Sequence, residues 1–221
     1  MDPDKLNYLR LGMIYYVILV CSVCIHEWAH AFTADKLGDH LPRSQGRVSL
    51  NPLVHMDLLG TVIFPLLMIF GPMLSGMGTG IALIGWGKPV MVSLPNPKTR
   101  KRDDLLITIA GPFSNLCICL IVAVIGGLTG RTAPQFLELI HLIIILNTAL
   151  FVFNLIPIPP LDGSHFLKHA VGMREETYMN FARWGFLILL IAINIPFIRG
   201  ILNGMIGLVS SLFTQLMISI L

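Results

Sequence analysis

Six long apolar runs dominate the sequence and restrict what it can fold into. Each run is close to the ~20 residues that a helix needs to cross the hydrocarbon core of a membrane. The runs are Leu11–Ala34, Leu58–Ile84, Leu105–Leu128, Phe136–Ile156, Phe181–Ile198 and Ile201–Leu221. Only 12% of the residues are charged, against about 25% in an ordinary soluble domain. We therefore predict an all-α polytopic membrane protein with about five to six hydrophobic segments, folded as a single domain over residues 1–221.

The charged residues collect between the apolar runs, and the net charge is a modest +3. A basic cluster, Lys98–Arg102, lies just before the third run. Beside a membrane segment, such a cluster is typical of a cytoplasmic retention signal rather than of a nucleic-acid site. We expect the lipid bilayer, and no nucleic acid, among the partners.

The segment His26-Glu27-Trp28-Ala29-His30 carries the strongest chemical signal. Residues four apart lie one turn apart on the same face of a helix, so both imidazoles can reach one metal ion. The glutamate between them is flexible enough to reach a water molecule in the open coordination position. Two neutral nitrogens and a neighbouring carboxylate as general base form the arrangement of a zinc hydrolase. The competing interpretation is two interfacial histidines and a helix-end glutamate.

A catalytic zinc site of this kind needs a third protein ligand, and Asp162 is the best candidate. It follows a proline-rich stretch, Pro157–Pro160, that must break the preceding helix. Irregular backbone at membrane depth is tolerated where it faces protein or a polar cavity. The alternative is that Asp162 merely caps a short helix beginning near Gly163.

Four other side chains compete for the same role. His165 and His169 also have i, i+4 spacing, but no glutamate follows the first, and a solvated polar face explains them better. His55 and Asp57 precede the second apolar run and are candidates for supporting the ligands. The four cysteines lie inside apolar runs and are predicted to be small buried side chains, although Cys21 and Cys24 lie close to His26. The cysteines are Cys21, Cys24, Cys117 and Cys119.

The proposed ligands also restrict the topology. His26 and His30 lie near the C-terminal end of the first apolar run, and Asp162 lies just past the end of the fourth. These two ends must emerge on the same membrane face for the residues to share one metal. One intervening segment therefore fails to cross. Leu58–Ile84 contains Pro65 and a glycine-rich stretch, so we predict that this segment is re-entrant. This topology shifts lysines and arginines toward one face, as the positive-inside rule favours. It predicts an external N-terminus and an active site near the cytoplasmic face.

These motifs resemble the site-2 protease family of intramembrane zinc metalloproteases, in particular its small prokaryotic members without accessory domains. The resemblance covers roughly residues 12–170. Its motifs are His26–His30, Leu50–Asp57, Gly85–Val90, Ala110–Asn115 and Asn154–Gly163. It implies a catalytic core of about residues 12–170, followed by a C-terminal helical pair at about residues 180–221. It also implies location in a prokaryotic inner membrane.

By this resemblance, His26, His30 and Asp162 hold one zinc ion, and Glu27 is the catalytic glutamate. The family cleaves transmembrane helices of other membrane proteins. Asn154 and Asn115 become candidates for holding the substrate backbone or the developing oxyanion. For Asn154 the alternative is capping where its helix ends. For Asn115 we favour a structural role in the first turn of a helix that begins near Pro112.

The resemblance also points to a short β element at Gly85–Val92, in which Gly87, Lys88, Pro89 and Val90 are candidate substrate-binding residues. An open strand edge captures extended peptide by β-augmentation, and a plain loop is the alternative.

Two rival functions remain from other classes. One is an intramembrane metal-ion transporter, and the other is a catalytically silent membrane scaffold. The sequence does not determine the substrate or the oligomeric state.

Overall fold

The structure, a computed structural model, describes residues 3–75 and 85–221, with side chains for residues 5–71 and 85–221. Helices dominate these residues, which confirms the predicted all-α class. The α-helices are α1 (Pro3–Lys36), α2 (Leu41–Ser44), α3 (Pro52–His55), α4 (Phe64–Ser75), α5 (Arg100–Thr129), α6 (Leu137–Asn154), α7 (Gly163–Ala170), α8 (Glu175–Asn194) and α9 (Pro196–Ile220). A π-helical turn spans Leu58–Ile63, and a 3₁₀ turn spans Pro134–Phe136.

Four helical stretches in the described part of the chain are long and apolar enough to cross a membrane. They are Lys5–Lys36, Arg100–Thr129, Pro134–Asn154 and Pro196–Ile220. The expected count of five to six segments is therefore not confirmed. The run Phe181–Ile198 is divided between two helices, because Ile195 is extended (φ −73°, ψ 121°) and Pro196 opens α9. A residue before proline is biased away from the helical region.

The second apolar run, Leu58–Ile84, forms the π-helical turn and then the short helix α4. Asp57 initiates this stretch, because its carboxylate accepts hydrogen bonds from the amides of Leu59 (3.0 Å) and Gly60 (2.7 Å). The remainder of the run, residues 76–84, lies outside the described residues. The predicted re-entrant return of this segment therefore stays a prediction.

The chain forms two compact units, Met1–Ser93 and Leu94–Leu221. In the first unit, α1 packs closely against α4. A Cβ atom added at Gly12 would lie 2.8 Å from Cγ2 of Ile69, which is fully buried. The hydroxyl of Tyr8 donates to the carbonyl of Met68 at 3.3 Å. The glycine on α1 thus lets the short helix approach closely.

In the second unit, α5, α6 and α9 pack around one apolar cluster. Its buried members are Cys119, Ala123, Ile140, Ile144 and Met217. Two fully buried amides join α5 to α6, since Asn115 donates to Oδ1 of Asn147 at 3.0 Å. Pro112 lies inside α5, which begins at Arg100. The expectation that Asn115 occupies the first turn of a helix near Pro112 is therefore wrong.

Candidate metal centre

Helix α1 places His26 and His30 one turn apart and buries both, leaving each 7% exposed. Their Nε2 atoms lie 3.1 Å apart, and the two rings meet edge to face. Two nitrogens on a tetrahedral zinc ion with bonds of about 2.0–2.1 Å are separated by about 3.3–3.4 Å. The imidazole pair therefore has nearly the separation that one zinc ion requires, and its nitrogen donors suit that metal.

Glu27 is half-buried beside this pair and contacts Gly87. A Cβ atom at Gly87 would lie 2.8 Å from Cγ of Glu27, 2.9 Å from its Oε1 and 2.8 Å from Cγ1 of Val23. Only glycine lets the backbone pass this close to the carboxylate. The first unit thus brings together His26, Glu27, His30 and one of the residues predicted to bind substrate.

Gly87 belongs to an extended stretch that is held in place by few hydrogen bonds. It forms an isolated antiparallel bridge with Met56, and no extended strand occurs within residues 3–75 and 85–221. The amide of Lys88 donates to the carbonyl of His55 at 2.8 Å, and that of Trp86 donates to Gly60 at 3.2 Å. The predicted β element at Gly85–Val92 is therefore a single bridge in this structure.

Arg47 is a buried residue of the first unit whose role the sequence did not reveal. Its side chain, 4% exposed, donates to the carbonyls of Val54 and Lys88, and to that of Pro89 at 3.1 Å. Arg43, four residues earlier, has an exposed side chain and forms a two-pronged ion pair with Asp35. Nothing in the local sequence distinguishes the buried arginine from the exposed one.

His55 and Asp57 have structural roles in the first unit. His55 is 1% exposed, and its Nε2–H donates to the carbonyl of Ser49 at 2.7 Å. Burial lowers the pKa of His55 below its usual value, so the side chain is neutral at physiological pH. Asp57 is occupied in capping the π-helical turn. Among the cysteines, Cys24 is buried and donates to the carbonyl of Leu50, while Cys21 is exposed.

In the second unit, Asp162 directly precedes α7. Its side chain is half-buried and makes no capping hydrogen bond to that helix. A Cβ atom at Gly163 would lie 2.4 Å from the carbonyl oxygen of Leu155, so the start of α7 packs directly on the backbone that leaves α6. The capping alternative for Asp162 finds no support, and its role as the third metal ligand stays a prediction.

His165 and His169 do not form a solvated face, contrary to the expectation from sequence. Both bind the carboxylate of Asp104, which is 3% exposed. His165 Nδ1 lies 3.1 Å from Oδ1 of Asp104, and His169 Nε2 lies 2.6 Å from its Oδ2. The two histidines therefore fasten α7 to the beginning of α5.

The two asparagine candidates also belong to the second unit. Asn154 is half-buried at the end of α6, and its amide donates to the carbonyl of Leu150 at 2.9 Å. Asn115 is fully buried against Asn147. Both described contacts serve packing or helix termination, and the substrate roles of these residues stay predictions.

A buried histidine pair around a glutamate, on a helix of membrane-spanning length, is the pattern typical of a membrane-embedded metallohydrolase. Comparison with known proteins then gives the family. Residues 129–192, which include Asp162, match the family model described as Peptidase family M50. The chain is 31% identical to "Putative zinc metalloprotease YwhC" of Bacillus subtilis over 204 residues, covering 87% of this chain and 86% of that protein.

Two further relatives carry the same description. The chain is 29% identical over 194 residues to "Putative zinc metalloprotease Rip2" of Mycolicibacterium smegmatis, with coverage of 86% of this chain and 70% of that protein. It is 28% identical over 207 residues to the Rip2 protein of Mycobacterium tuberculosis, with coverage of 92% and 75%. No solved structure gives a significant match.

The chain belongs to Peptidase family M50, the site-2 protease family of zinc metalloproteases. This confirms the family and the zinc cofactor expected from the sequence. Together with the four apolar helices, it identifies an integral membrane protein.

Proposed function

We propose that this protein is an intramembrane zinc metalloprotease that hydrolyses peptide bonds in or near the transmembrane segments of membrane proteins. The observation that carries the proposal is the geometry of His26 and His30. Their buried Nε2 atoms lie 3.1 Å apart on a membrane-length helix, with Glu27 between them in sequence. Ionisable residues within such helices are costly and are usually retained for function.

His26, His30 and Asp162 are the proposed zinc ligands. Two imidazoles and one carboxylate form a ligand set of catalytic zinc sites, which keep one position open for water or substrate. Two observations favour Asp162: its side chain does not cap α7, and it lies within the stretch that matches the family model. Zinc in such a site supplies Lewis acidity, which activates water and polarises a carbonyl group.

Glu27 is the proposed general base. Its carboxylate accepts a proton from the attacking water and then donates that proton to the nitrogen of the leaving amine. The close approach of Gly87 leaves the carboxylate beside an extended backbone. A peptide lying along that backbone therefore has its scissile bond near the proton acceptor.

The stretch Gly87–Val90 is the proposed substrate-pairing edge. Lys88 N–H donates to the carbonyl of His55, the residue before Met56, which makes Met56 and Gly87 a non-hydrogen-bonded pair. In such a pair, the N–H and C=O of each residue point away from the partner strand. Those of Gly87 thus face the opposite edge, where an extended peptide can add by β-augmentation. Asn154 and Asn115 are further candidates for holding substrate backbone, and half-buried Asn154 is the more accessible.

We further propose that both units form one metalloprotease domain in a prokaryotic cell membrane. The catalytic core comprises about residues 12–170, and a helical pair at about residues 180–221 follows. Leu58–Ile84 re-enters the membrane, the N-terminus is external, and the active site lies near the cytoplasmic face. The charge distribution supports this orientation, since cytoplasmic loops carry the excess of lysine and arginine.

Purified protein reconstituted in liposomes tests the function. The probe is a labelled transmembrane peptide of about 25 apolar residues with a central Gly-Gly pair, which weakens its helix. We expect wild-type protein to cleave it and Glu27→Gln to lose about 10²–10⁴-fold in rate, the usual contribution of a general base. Both proteins should carry about one zinc ion per chain by elemental analysis, because Glu27 is not a ligand.

The same liposomes distinguish the rival functions. Zinc flux across the membrane, without peptide cleavage by wild-type protein, would identify a transporter. Bound zinc with neither cleavage nor flux would identify a silent scaffold. Cleavage by Glu27→Gln at the wild-type rate would remove Glu27 from the mechanism.

A further inference from the structure

Arg47 joins two separate segments of the first unit through its guanidinium group. It donates to the carbonyl of Val54, two residues before Met56. It also donates to the carbonyls of Lys88 and Pro89, which follow Gly87. It therefore connects the two sides of the Met56–Gly87 bridge just beyond the point where backbone pairing stops. The antiparallel ladder does not continue past this bridge, because the partner segment Pro52–His55 forms helix α3 rather than a strand.

The planar guanidinium group is suited to this task. It presents five donors in a rigid fork, whereas a lysine ammonium is a compact charge on a flexible stem. Arg47 is nearly fully buried, at 4% exposed, and a buried cation is costly unless polar groups compensate it. Three carbonyl oxygens and the charge of Glu27 provide that compensation, and the positions of the carbonyls are restrained in return.

Packing alone does not hold the Lys88–Met91 stretch. Lys88 and Pro89 are exposed, and Met91 is 62% exposed. A cavity of about 420 Å³ lies alongside and is lined in part by Arg47, Leu53, Lys88 and Met91. A segment next to open volume has few contacts that fix its position, so its placement depends on hydrogen bonds.

We infer that Arg47 is a positioning residue for proteolysis, which fixes the substrate-pairing edge at Gly87 relative to Glu27. The inference rests on the proposed protease function. Arg47 acts through the carbonyls of Lys88 and Pro89, the two residues that directly follow Gly87. The backbone at Gly87 is thereby held beside the side chain of Glu27. Preorganisation of this kind improves peptide binding because the edge does not have to be ordered on association.

The first measurement is local hydrogen exchange of full-length, zinc-loaded protein without substrate, followed by mass spectrometry of residues 85–91. In Arg47→Met we expect the amides of Trp86 and Lys88 to exchange about tenfold faster or more, with exchange of α1 unchanged. Tenfold corresponds to about 1.4 kcal/mol, the order of one hydrogen bond to a charged group. Arg47→Lys should show an intermediate change, since it retains the charge but lacks the fork. Arg47→Lys is also the variant to be measured if Arg47→Met does not fold.

The second measurement is the affinity for the labelled Gly-Gly transmembrane peptide, made in the Glu27→Gln background so that nothing is cleaved. Arg47→Met should weaken binding about tenfold. In the active background, Arg47→Lys, which keeps the charge near Glu27, should raise KM severalfold with little change in kcat. Arg43→Met is the matched control, because it removes a nearby arginine whose exposed side chain pairs with the carboxylate of Asp35 instead of the carbonyls of Lys88 and Pro89. We expect wild-type binding and exchange from this control.

Unchanged exchange and unchanged peptide affinity in folded Arg47→Met or Arg47→Lys would overturn the inference. The same conclusion follows if kcat falls while KM and exchange at residues 85–91 stay at wild-type values. Failure of the protease function has a different signature, since wild-type protein would then cleave no peptide at all. Exchange and binding do not depend on turnover, so the two failures are distinguishable.

Discussion

At the scale of single residues, His26 and His30 already have nearly the geometry that a metal ion requires. Their Nε2 atoms are 3.1 Å apart in buried surroundings, so zinc binding demands little movement of either ring. Glu27 lies between them in sequence but turns toward the extended backbone at Gly87. One helical turn thus carries both the proposed metal-binding histidines and the proposed general base.

The contact between Gly87 and Glu27 leads to a residue-scale prediction. Gly87→Ala places a Cβ atom within about 3 Å of Glu27 and Val23, so the extended backbone must move away. We expect kcat/KM to fall about 10–100-fold, because a displacement near 1 Å can cost that much in a positioned reaction. Zinc content should stay at the wild-type value, since neither histidine is touched.

Gly204→Ala on α9 is the matched control for this substitution. No described atom lies within 4 Å of a Cβ at that glycine. Its activity should equal that of wild-type protein. Wild-type kcat/KM in Gly87→Ala would show that the contact with Glu27 has no bearing on catalysis.

At the scale of elements, α7 is a short helix held by a buried carboxylate. Asp104 on α5 binds His165 and His169, which lie one turn apart on α7. Ser164 adds a second attachment, through a hydrogen bond of 2.8 Å to the hydroxyl of Tyr178 on α8. The placement of Asp162 at the start of α7 therefore depends on contacts made farther along the helix.

Asp104→Asn tests this attachment. The amide keeps the shape of the side chain but loses the charge and one acceptor oxygen. We expect the free energy of unfolding to fall by about 1.5–3 kcal/mol, the range for a hydrogen bond to a charged group. The measurement is the thermal unfolding midpoint in detergent, with Glu138→Gln, an exposed carboxylate at the start of α6, as the control. An unchanged midpoint in Asp104→Asn would show that α7 is held mainly by other contacts.

The elements also show which features a sequence can reveal. The helix around His26–His30 and the apolar helices were predictable, because hydrophobic runs and i, i+4 spacing are local signals. The role of His165 and His169 was not, because their partner Asp104 lies 61 and 65 residues away from them in sequence. The strand at Gly85–Val92 reduces to one bridge because its partner segment is helical at Pro52–His55, and Arg47 supplies side-chain bonds instead. A hydrophobic pattern cannot show where hydrogen bonds from a side chain take the place of backbone hydrogen bonds.

At the scale of the whole molecule, the proposed topology places the ends of the first and fourth apolar runs on one membrane face. Lys36 ends α1, and Lys101 lies at the start of α5, so both belong to that face if Leu58–Ile84 re-enters. In a variant without native cysteines, Lys36→Cys and Lys101→Cys should react equally with a membrane-impermeant maleimide. Both should be protected in intact cells and labelled after the cytoplasmic face is opened.

Arg131→Cys, in the exposed loop between α5 and α6, is the opposite-face control and should react in intact cells. Labelling of Lys36→Cys and Lys101→Cys from opposite sides would mean that Leu58–Ile84 crosses the membrane. Asp162 could then not share a metal with the histidines of α1, since a single ion cannot bind ligands at opposite faces of a hydrocarbon core about 30 Å thick.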